Sequence, residues 1–375
     1  MSHTLKRRLR SDERQKYTNR QTYSVKSQRS NQPRTERPDP LPCDHQKKLA
    51  YLPNASSTLN IAPHPDSDAP IRSGMPQEHP AARLRAAMDR RCIAIPGAFN
   101  ALCARAIARH GFEACYISGA ATSVSAGVPD VGVLTLDHFV RCIREAADAS
   151  TLPVLADADT GFGEAEMVRR TVIEYARAGA AGLHIEDQQF PKRCGHLDGK
   201  ELVPTDHMVE KIQWAARAAK QSSGIIICAR TDAKGVEGLE PAIARAKAYV
   251  AAGADMIFPE GLSTEQEFSL FAAALGRGPS ADPSVLAGKR PYLLANMTEF
   301  GKTPNIPLSH FSAMGYSCVI YPVSLLRVAM GAVDRALNQL QRDGSVAAFQ
   351  DQMQTRQQLY ELIAYKPGVP WEFPA

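Results

Sequence analysis

Residues 153–187 read PVLADADTGFGEAEMVRRTVIEYARAGAAGLHIED. The stretch opens with an apolar run (153–159), continues with apolar residues at helical spacing (164–180) and ends in a second apolar run (181–187). The helical part closes on Gly-Ala, as a helix that ends through a glycine C-cap does. These residues therefore predict a strand, a helix and a second strand.

The same alternation of strand and helix recurs along most of the chain. Eight apolar runs are candidate strands, at 92–98, 113–119, 153–159, 181–187, 224–232, 254–260, 291–297 and 317–323. Eight strands, each followed by a helix over about 250 residues, predict an α/β protein with a (β/α)8 TIM-type barrel, whose strands are buried on both faces. A doubly wound open sheet is the alternative, but no GxGxxG follows the first run and the sequence has no P-loop.

The positive charge of the chain is concentrated at its N-terminus. Residues 1–74 contain 14 Lys or Arg and 7 Asp or Glu, which gives +7 and leaves −2 of the total of +5 for the remainder. Few large apolar residues occur there, so burial cannot offset the entropy of ordering the segment. We expect a disordered basic N-terminal extension (1–75) and a single barrel domain with additional C-terminal helices (76–375). A nucleic-acid-binding arm, a targeting segment and a natural start at Met75 are alternatives; we expect no nucleic-acid partner.

Cysteine usage and apolar runs indicate the compartment. The eight cysteines form no CxxC pair and no secretory signal precedes them, so a reducing cytoplasmic location is expected. No apolar run reaches the roughly 20 residues that cross a bilayer, so no membrane association is expected. Two amphipathic helices are predicted at 326–341 and 349–365, and such extra helices favour a homo-oligomer. The segment 276–290 is predicted to be a surface loop without a catalytic role.

Polar residues fall at the carboxyl ends of the predicted strands. In a barrel, all of these ends open onto one face, which is where active sites are built. One such pair is more often structural, but repetition on five strands makes an accidental arrangement improbable. The residues are Asp157, Asp159, His184, Glu186, Arg230, Asp232, Glu260, Asn296 and Thr298.

Asp157 and Asp159 lie at i and i+2, so both side chains point to one side of the strand end. With the glycine-rich turn that follows, they suit a hard divalent cation that keeps several waters, and Mg2+ is the predicted cofactor. His184 and Glu186 could hold metal-bound water from the neighbouring strand. Two solvated aspartates and a hydrogen-bonded core histidine remain the structural alternatives.

Arginines near such a metal point to the substrate. Planar guanidinium groups form paired hydrogen bonds with carboxylates, so Arg230, Arg327 and Arg356 predict a small dicarboxylate or tricarboxylate. For any single arginine, a salt bridge to a neighbouring glutamate is the more common role.

The segment KRCGH (192–196) places Cys194 between cations, a glycine and a histidine. Neighbouring positive charges lower the pKa of a thiol and can adapt it for proton transfer. The alternative is a surface cysteine that happens to lie among charges, and the segment alone leaves both interpretations open.

Seven segments together resemble the isocitrate lyase and phosphoenolpyruvate mutase superfamily, most closely its methylisocitrate lyase branch. They are KRCGH, DADTGFG, GLHIEDQ, ARTDA, FPE, NMTEFGKTP and YISGAATSVSAGVPDVG, and the likeness extends from about residue 80 to 365. The cysteine in KRCGH is typical of the lyases of this superfamily. The resemblance implies a Mg2+-dependent retro-aldol cleavage of (2S,3R)-2-methylisocitrate to pyruvate and succinate, in the methylcitrate cycle of propionate catabolism, by a homotetramer.

The same resemblance implies roles for individual residues. Cys194 would be the acid that protonates the succinate carbanion, and Tyr116 the base for the substrate hydroxyl. Arg230, His184 and Glu186 would also be catalytic, and Asp130, Asp157 and Asp159 would form the metal site. The substrate contacts would be Ser118, Gly119, Ala120, Gly195, Arg230, Glu260, Asn296, Thr298, Arg327 and Arg356.

Competing functions remain. Another lyase or decarboxylase of the superfamily would act on isocitrate, dimethylmalate or oxaloacetate with similar residues. A decarboxylase and a phosphonate mutase are both disfavoured by Cys194. A non-catalytic binding protein on a barrel scaffold is disfavoured by the combination of DAD, KRCGH and three matched arginines.

Overall fold

The computed structural model describes residues 78–193, 195, 199–282, 284–301 and 303–371. Its centre is a sheet of eight parallel strands in the order β1-β8-β7-β6-β5-β4-β3-β2. A bridge between Gly97 and Tyr116 brings β1 and β2 together, with Ala98 N donating to Tyr116 O at 2.8 Å. The predicted (β/α)8 barrel is therefore confirmed. The strands are β1 Ile93–Pro96, β2 Cys115–Ile117, β3 Val154–Asp157, β4 Ala180–Glu186, β5 Ile226–Thr231, β6 Met256–Pro259, β7 Tyr292–Asn296 and β8 Cys318–Tyr321.

Eleven α-helices accompany these strands in the described part of the chain. Two of them, α3 and α4, lie between β2 and β3, and one, α1, precedes the barrel. The helices are α1 Pro80–Arg90, α2 Ala101–Arg109, α3 Gly119–Ser125, α4 Leu136–Ser150, α5 Ala165–Arg177, α6 Thr205–Gln221, α7 Leu239–Ala252, α8 Glu265–Ala274, α9 Leu308–Ala313, α10 Ser324–Asp343 and α11 Arg356–Leu362. None of the described helices is both long and apolar enough to cross a membrane.

The strands are buried on both faces, which explains why they read as continuous apolar runs. Successive side chains alternate between two clusters. Leu155, Cys228 and Phe258 belong to the cluster inside the barrel, whereas Ala156 and Ile257 belong to the cluster between strands and helices. This alternation determines which residues can project from the mouth of the barrel.

Helix α1 closes the amino end of the barrel, which the sequence pattern did not predict. Leu84, Ala87 and Met88 on one face of α1 are buried in the interior cluster, together with at least one residue of each of the eight strands. Arg85 Nη1 also donates to Gly224 O at 2.6 Å, just before β5. The segment 276–290 lies at the same end, before β7, as expected for a loop away from the mouth.

The C-terminal segment is less regular than predicted. The first predicted helix is present as α10, but the second is divided into a 3-10 helix (Ala347–Gln352) and α11. Thr355 explains the division, because its side chain accepts from Gln358 N while Gln358 bonds back to Thr355 N. This capping box starts a new helix rather than continuing an old one.

Candidate active site

Polar residues at the barrel mouth continue the inward-facing columns of apolar residues. Leu155, Cys228 and Phe258 point into the barrel. Asp157, Arg230 and Glu260 follow them by two residues and therefore lie on the same side of their strands. The predicted meeting of strand ends at one face is therefore observed, and the charged groups there are buried.

Asp157 is held rigidly by backbone donors. Its Oδ2 accepts from Gly119 N at 3.0 Å and its Oδ1 from Asp159 N at 2.9 Å. A Cβ on Gly119 would lie 2.6 Å from Oδ2, so residue 119 has to be glycine for this approach. Burial would raise the pKa of Asp157, but His184, Lys192 and Arg230 outweigh it and lower the pKa to about 2. Asp157 is thus a fixed carboxylate.

Asp159 and Asp130 share the ammonium group of Lys192. Lys192 Nζ lies 2.7 Å from Asp159 Oδ1 and also pairs closely with Asp130 Oδ1. Burial and the charge of Asp157 raise the pKa of Asp159 to about 6. Burial would lower the pKa of Lys192, but Glu186 and the three aspartates raise it, so Lys192 is charged. The three predicted metal residues do lie together, around a cation supplied by the chain itself.

Tyr116 and His184 form a buried pair inside the mouth. The Tyr116 hydroxyl lies 2.7 Å from His184 Nε2, and His184 Nδ1 lies 3.6 Å from Asp157 Oδ1. Burial lowers the pKa of His184 to about 4, so its ring is neutral at pH 7. Burial, then the charge of Asp157, raises the pKa of Tyr116 well above its ordinary value. A neutral phenol beside a neutral imidazole can donate its proton to Nε2.

Glu186 is a buried carboxylate without a hydrogen-bond donor among the described residues. Arg230 Nη1 lies 3.0 Å from Glu186 Oε2, but the pair is not aligned as a hydrogen bond. Burial raises the pKa of Glu186 well above its ordinary range. A buried polar atom without a partner costs free energy, so this oxygen pair indicates a site for a ligand, water or ion.

Arg230 is oriented by a carboxylate on its own strand end. Its Nε donates to Asp232 Oδ2 at 3.0 Å and its Nη2 to Asp232 Oδ1 at 3.1 Å. Asn296 Nδ2 donates to Glu260 Oε2 at 3.1 Å, and Thr298 Oγ1 donates to Asn296 Oδ1 at 2.9 Å. The predicted substrate-binding residues of β5, β6 and β7 therefore form one connected rim.

The residues at the mouth fit the implied Mg2+. Glu186 offers two buried oxygens without hydrogen-bond donors, and Asp159 Oδ1 has no hydrogen-bond partner among the described residues, although Lys192 Nζ lies 2.7 Å away. No three His, Cys, Asp or Glu side chains of the described chain converge as a preformed cage. That donor set suits Mg2+, which binds one or two carboxylates directly and keeps several waters that other carboxylates hold.

A cavity of about 820 Å3 borders this cluster on the side of β3 and β4. Asp159, Thr160 and Gln188 form its wall towards the mouth, and Phe162 and Met167 add apolar surface. Of the carboxylates at the mouth, Asp159 lines this cavity, so the cavity borders the site at that residue.

The other predicted site residues have different positions. Ser118 caps α3, its Oγ accepting from Ala121 N at 3.3 Å, and Ala120 packs beside Ala121. Arg327 is paired with Glu299, and Arg356 is exposed at the start of α11. Within the described ranges, these two arginines make no contact with the mouth residues. Cys194 and His196 lie outside the described residues.

Three residues at the mouth have contacts that sequence reasoning did not assign. The sequence indicates Lys192 only as a neighbour of Cys194, yet its ammonium group pairs with two carboxylates. Gln188 clamps the backbone of Arg193, with bonds of 2.9 Å to both its N and its O. Lys200 donates to Gly195 O and to Asp232. All three residues belong to the polar stretch 188–200. That composition marks a segment of interest, but it does not indicate which of its side chains are buried.

Comparisons with known proteins agree with the geometry. Residues 84–341 match the phosphoenolpyruvate phosphomutase family. A Corynebacterium glutamicum protein named probable 2-methylisocitrate lyase 1 is 49% identical over 272 residues, which cover 72% of this chain and 85% of that protein.

Solved structures give the same placement. A crystal structure of 2,3-dimethylmalate lyase has 36% identity and a TM-score of 0.69, covering 77% of this chain and 92% of its own. A structure of phosphonopyruvate hydrolase in complex with oxalate and Mg2+ has 29% identity and a TM-score of 0.66, covering 76% of this chain and 95% of its own. The fold therefore occurs in a related enzyme that was solved with Mg2+.

Proposed function

The chain belongs to the isocitrate lyase and phosphoenolpyruvate mutase superfamily, on its methylisocitrate lyase branch, and from this premise we propose that it is a Mg2+-dependent lyase that cleaves 2-methylisocitrate to pyruvate and succinate. The observation that carries the proposal is the buried Arg230, held by Asp232 and directed at the donor-free Glu186 beside two metal-type aspartates. Such a site combines a guanidinium group that can bind a substrate carboxylate with carboxyl groups that can bind a hydrated metal ion.

Asp157, Asp159 and Asp130 are proposed to hold the metal, directly or through water, with Glu186 and His184 around it. Bound Mg2+ would supply Lewis-acid stabilisation of the negative charge that develops on the substrate oxygens. The chain contributes fixed geometry, since both oxygens of Asp157 already accept backbone N–H groups. In this structure Lys192 neutralises Asp159 and Asp130, so metal binding has to share or replace that ammonium.

The substrate hydroxyl is proposed to lose its proton to the pair of Tyr116 and His184. The imidazole is neutral and accepts at Nε2, so Tyr116 can pass its own proton to His184 as it receives one from the substrate. Breaking the C2–C3 bond then releases pyruvate and leaves a carbanion on the succinate fragment. Cys194 is proposed to protonate that carbanion, a role assigned from the KRCGH motif.

Arg230, Asn296 and Thr298 are proposed to bind substrate carboxylates, with Glu260 orienting Asn296. The turn of Ser118, Gly119 and Ala120 is proposed to contact the substrate at the start of α3, where Gly119 N already donates to Asp157 Oδ2. Gly195 is proposed to cover the substrate. Arg327 and Arg356 are exposed, so their proposed substrate contacts would need a rearrangement or a neighbouring subunit.

A homo-oligomer is proposed, with a tetramer expected from the family resemblance. Of the residues of α10, Leu326 is buried, whereas Met330, Val333, Leu337 and Leu340 are 40–58% exposed. Their spacing of four and three residues forms an apolar stripe that a second copy can cover. A Leu337→Glu variant should have a lower mass than the wild type by light scattering. Unchanged mass would refute this contact.

The remaining expectations are also proposals. A single barrel domain (76–375), a disordered extension (1–75), a cytoplasmic location and the absence of nucleic-acid partners follow from sequence alone. Residues 1–77 lie outside the described part of the chain.

The decisive experiment measures pyruvate release from 2-methylisocitrate with and without Mg2+, coupled to lactate dehydrogenase. Isocitrate, dimethylmalate and oxaloacetate are assayed in parallel, with Cys194→Ser as the acid-deficient variant. Mg2+-dependent pyruvate release that collapses in Cys194→Ser would support both the lyase and the acid role. Cleavage of dimethylmalate or oxaloacetate instead would overturn the substrate assignment.

A chemical control separates Cys194 from other thiols. The described cysteines 92, 103, 115, 142, 228 and 318 are free, and burial raises the pKa of each. Alkylation near neutral pH should therefore inactivate the enzyme through Cys194, and a Cys43→Ser variant should be inactivated at the same rate.

A further inference from the structure

Lys200 is a buried lysine that links the KRCGH segment to the mouth of the barrel. Its Nζ donates to Gly195 O at 2.6 Å and to Asp232 Oδ1 at 2.8 Å. The side chain is 4% exposed, so these two acceptors replace the water that an ammonium group otherwise holds. One cation therefore bonds to the backbone of the segment and to a carboxylate of β5's end.

Asp232 is the same carboxylate that orients Arg230. Its Oδ2 accepts from Arg230 Nε and its Oδ1 from Arg230 Nη2, so Oδ1 is shared between Arg230 and Lys200. Asp232 is fully buried. Its backbone is also held in place, because Asp232 N donates to Asp187 Oδ1 at 2.9 Å. A movement of Lys200 would therefore change the position of the Arg230 guanidinium through Asp232 Oδ1, which both side chains share.

Gly195 contacts Arg230 from the opposite side. A Cβ on Gly195 would lie 2.5 Å from Arg230 Nη2 and 2.6 Å from Glu260 Cγ, so the glycine backbone is packed directly against both side chains. Its carbonyl meanwhile is fixed by Lys200. Gly195, Lys200, Asp232 and Arg230 consequently form a closed ring of contacts.

We propose that Lys200 is a positioning residue that couples the docking of the Gly195 backbone to the orientation of the Arg230 guanidinium. The proposal rests on the proposed lyase function, in which Arg230 binds a substrate carboxylate. Gln188 holds the segment at Arg193, but it contacts neither Arg230 nor Asp232 among the described residues, so it can anchor without coupling. Lys200 does both because its ammonium has two acceptors on different elements.

The first test compares Lys200→Met with Lys200→Arg. Methionine preserves the length of the chain and removes the donor, so Gly195 O and Asp232 lose one partner each. We expect kcat/KM to fall by about 100-fold in Lys200→Met, mostly through kcat, since Arg230 remains present but is misplaced. Lys200→Arg keeps charge and donors and should restore part of kcat.

Lys234→Met is the matched control. Lys234 lies two residues after Asp232 and pairs with Glu267 Oε1 at 3.0 Å, outside the ring. Lys234→Met should lose an ion pair that is more exposed than the one made by Lys200, and kcat should be unchanged. If Lys200 merely stabilised the fold, Lys200→Met would lower the melting temperature while the folded enzyme kept its kcat, and the proposal would be wrong.

A second readout does not depend on turnover. An arginine-specific protease is applied to the Mg2+-loaded full-length enzyme with pyruvate and succinate, and cleavage after Arg193 is followed by mass spectrometry. Release of Gly195 O in Lys200→Met should accelerate this cleavage about tenfold over wild type, with Lys234→Met unchanged. Equal rates in all three proteins would overturn the docking role.

A double-mutant cycle tests the coupling itself. Lys200→Met and Asp232→Asn should be strongly non-additive in kcat/KM, because each breaks the same ring. Additive losses would show that Lys200 acts apart from Arg230. If wild-type enzyme fails to cleave methylisocitrate, the proposed function fails, whereas the protease result still decides whether Lys200 docks Gly195.

Discussion

The two ends of the barrel are built from the same strands and have opposite chemistry. At the amino end, Leu84, Ala87 and Met88 of α1 fill the interior with apolar atoms. At the carboxyl end, Asp157, Asp232 and Arg230 are buried at similar depth but carry charge. Along each strand, only a few residues thus separate the apolar core at one end from the charged site at the other.

Apolar burial at the amino end stabilises the fold, whereas burial of ionisable groups at the carboxyl end costs stability. Burying apolar side chains contributes roughly 1.5–3 kcal/mol each. Burying a charge costs free energy unless partners compensate, and Glu186 has no hydrogen-bond donor among the described residues. We therefore expect substitutions at the amino end to change stability and those at the carboxyl end to change activity.

The largest effect is expected for Leu84→Ala at the amino end. Leu84 of α1 is fully buried in the interior cluster, so its truncation leaves a cavity there. The free energy of unfolding should fall by about 4 kcal/mol, with kcat and KM of the folded enzyme unchanged. Denaturant titration and steady-state kinetics measure both. A fall in kcat at constant stability would contradict the division between the two ends.

His184 should give the carboxyl end a distinct pH dependence. The unfolded chain protonates histidine below its ordinary pKa of 6.5, while the folded chain does so below about 4. The free energy of unfolding should therefore drop as the pH falls from 6.5 to 4, by about 3 kcal/mol for this residue. Asp159, with its pKa raised to about 6, acts in the opposite direction. The measurement is thus the difference between wild type and His184→Gln, and parallel profiles would refute it.

Glu186→Gln should separate activity from stability. The amide keeps the size of the side chain and an acceptor for Arg230, but it removes a carboxyl group whose ionisation burial already disfavours. We expect kcat/KM to fall by about 100-fold, while the free energy of unfolding stays constant or rises. Glu237→Gln, which affects the more exposed pair with Arg245, serves as the control. A large loss of stability in Glu186→Gln would mean that the carboxylate supports the fold.

The smallest effect is expected for Glu113→Gln on the rim of the amino end. Glu113 pairs with Arg90 at 2.5 Å and with Arg91 at 2.6 Å, but both arginine side chains are more than half exposed. Water screens such pairs, so the free energy of unfolding should change by less than about 1 kcal/mol, with no change in kcat. A loss that is larger and insensitive to salt would show that short distance outweighs exposure here.

The strands and much of the site could be predicted because local spacing carries them. Each of the eight candidate runs overlaps an observed strand, with ends that differ by one or two residues. The pairs of Asp157 with Asp159 and of His184 with Glu186 follow from the two-residue repeat of a strand. Parallel strands in a barrel then bring these pairs to one mouth.

Other features could not be predicted because they depend on contacts between distant segments. The plug by α1 requires the barrel to exist before its apolar face has a partner. The ring of Gly195, Lys200, Asp232 and Arg230 joins two loops, and nothing in the residues near Lys200 indicates that it is buried. The pairing of Lys192 with Asp130 spans 62 residues of chain.

The sequence by itself determined the barrel, the order of its strands and which side chains face its mouth, because hydrophobic spacing and strand alternation are local properties. Tertiary structure alone decided the charge states and partners of those side chains. Burial lowers the pKa of His184 and raises that of Glu186, and only the closed barrel creates that burial. Desolvation and Coulomb interaction depend on distance in space rather than on distance along the chain.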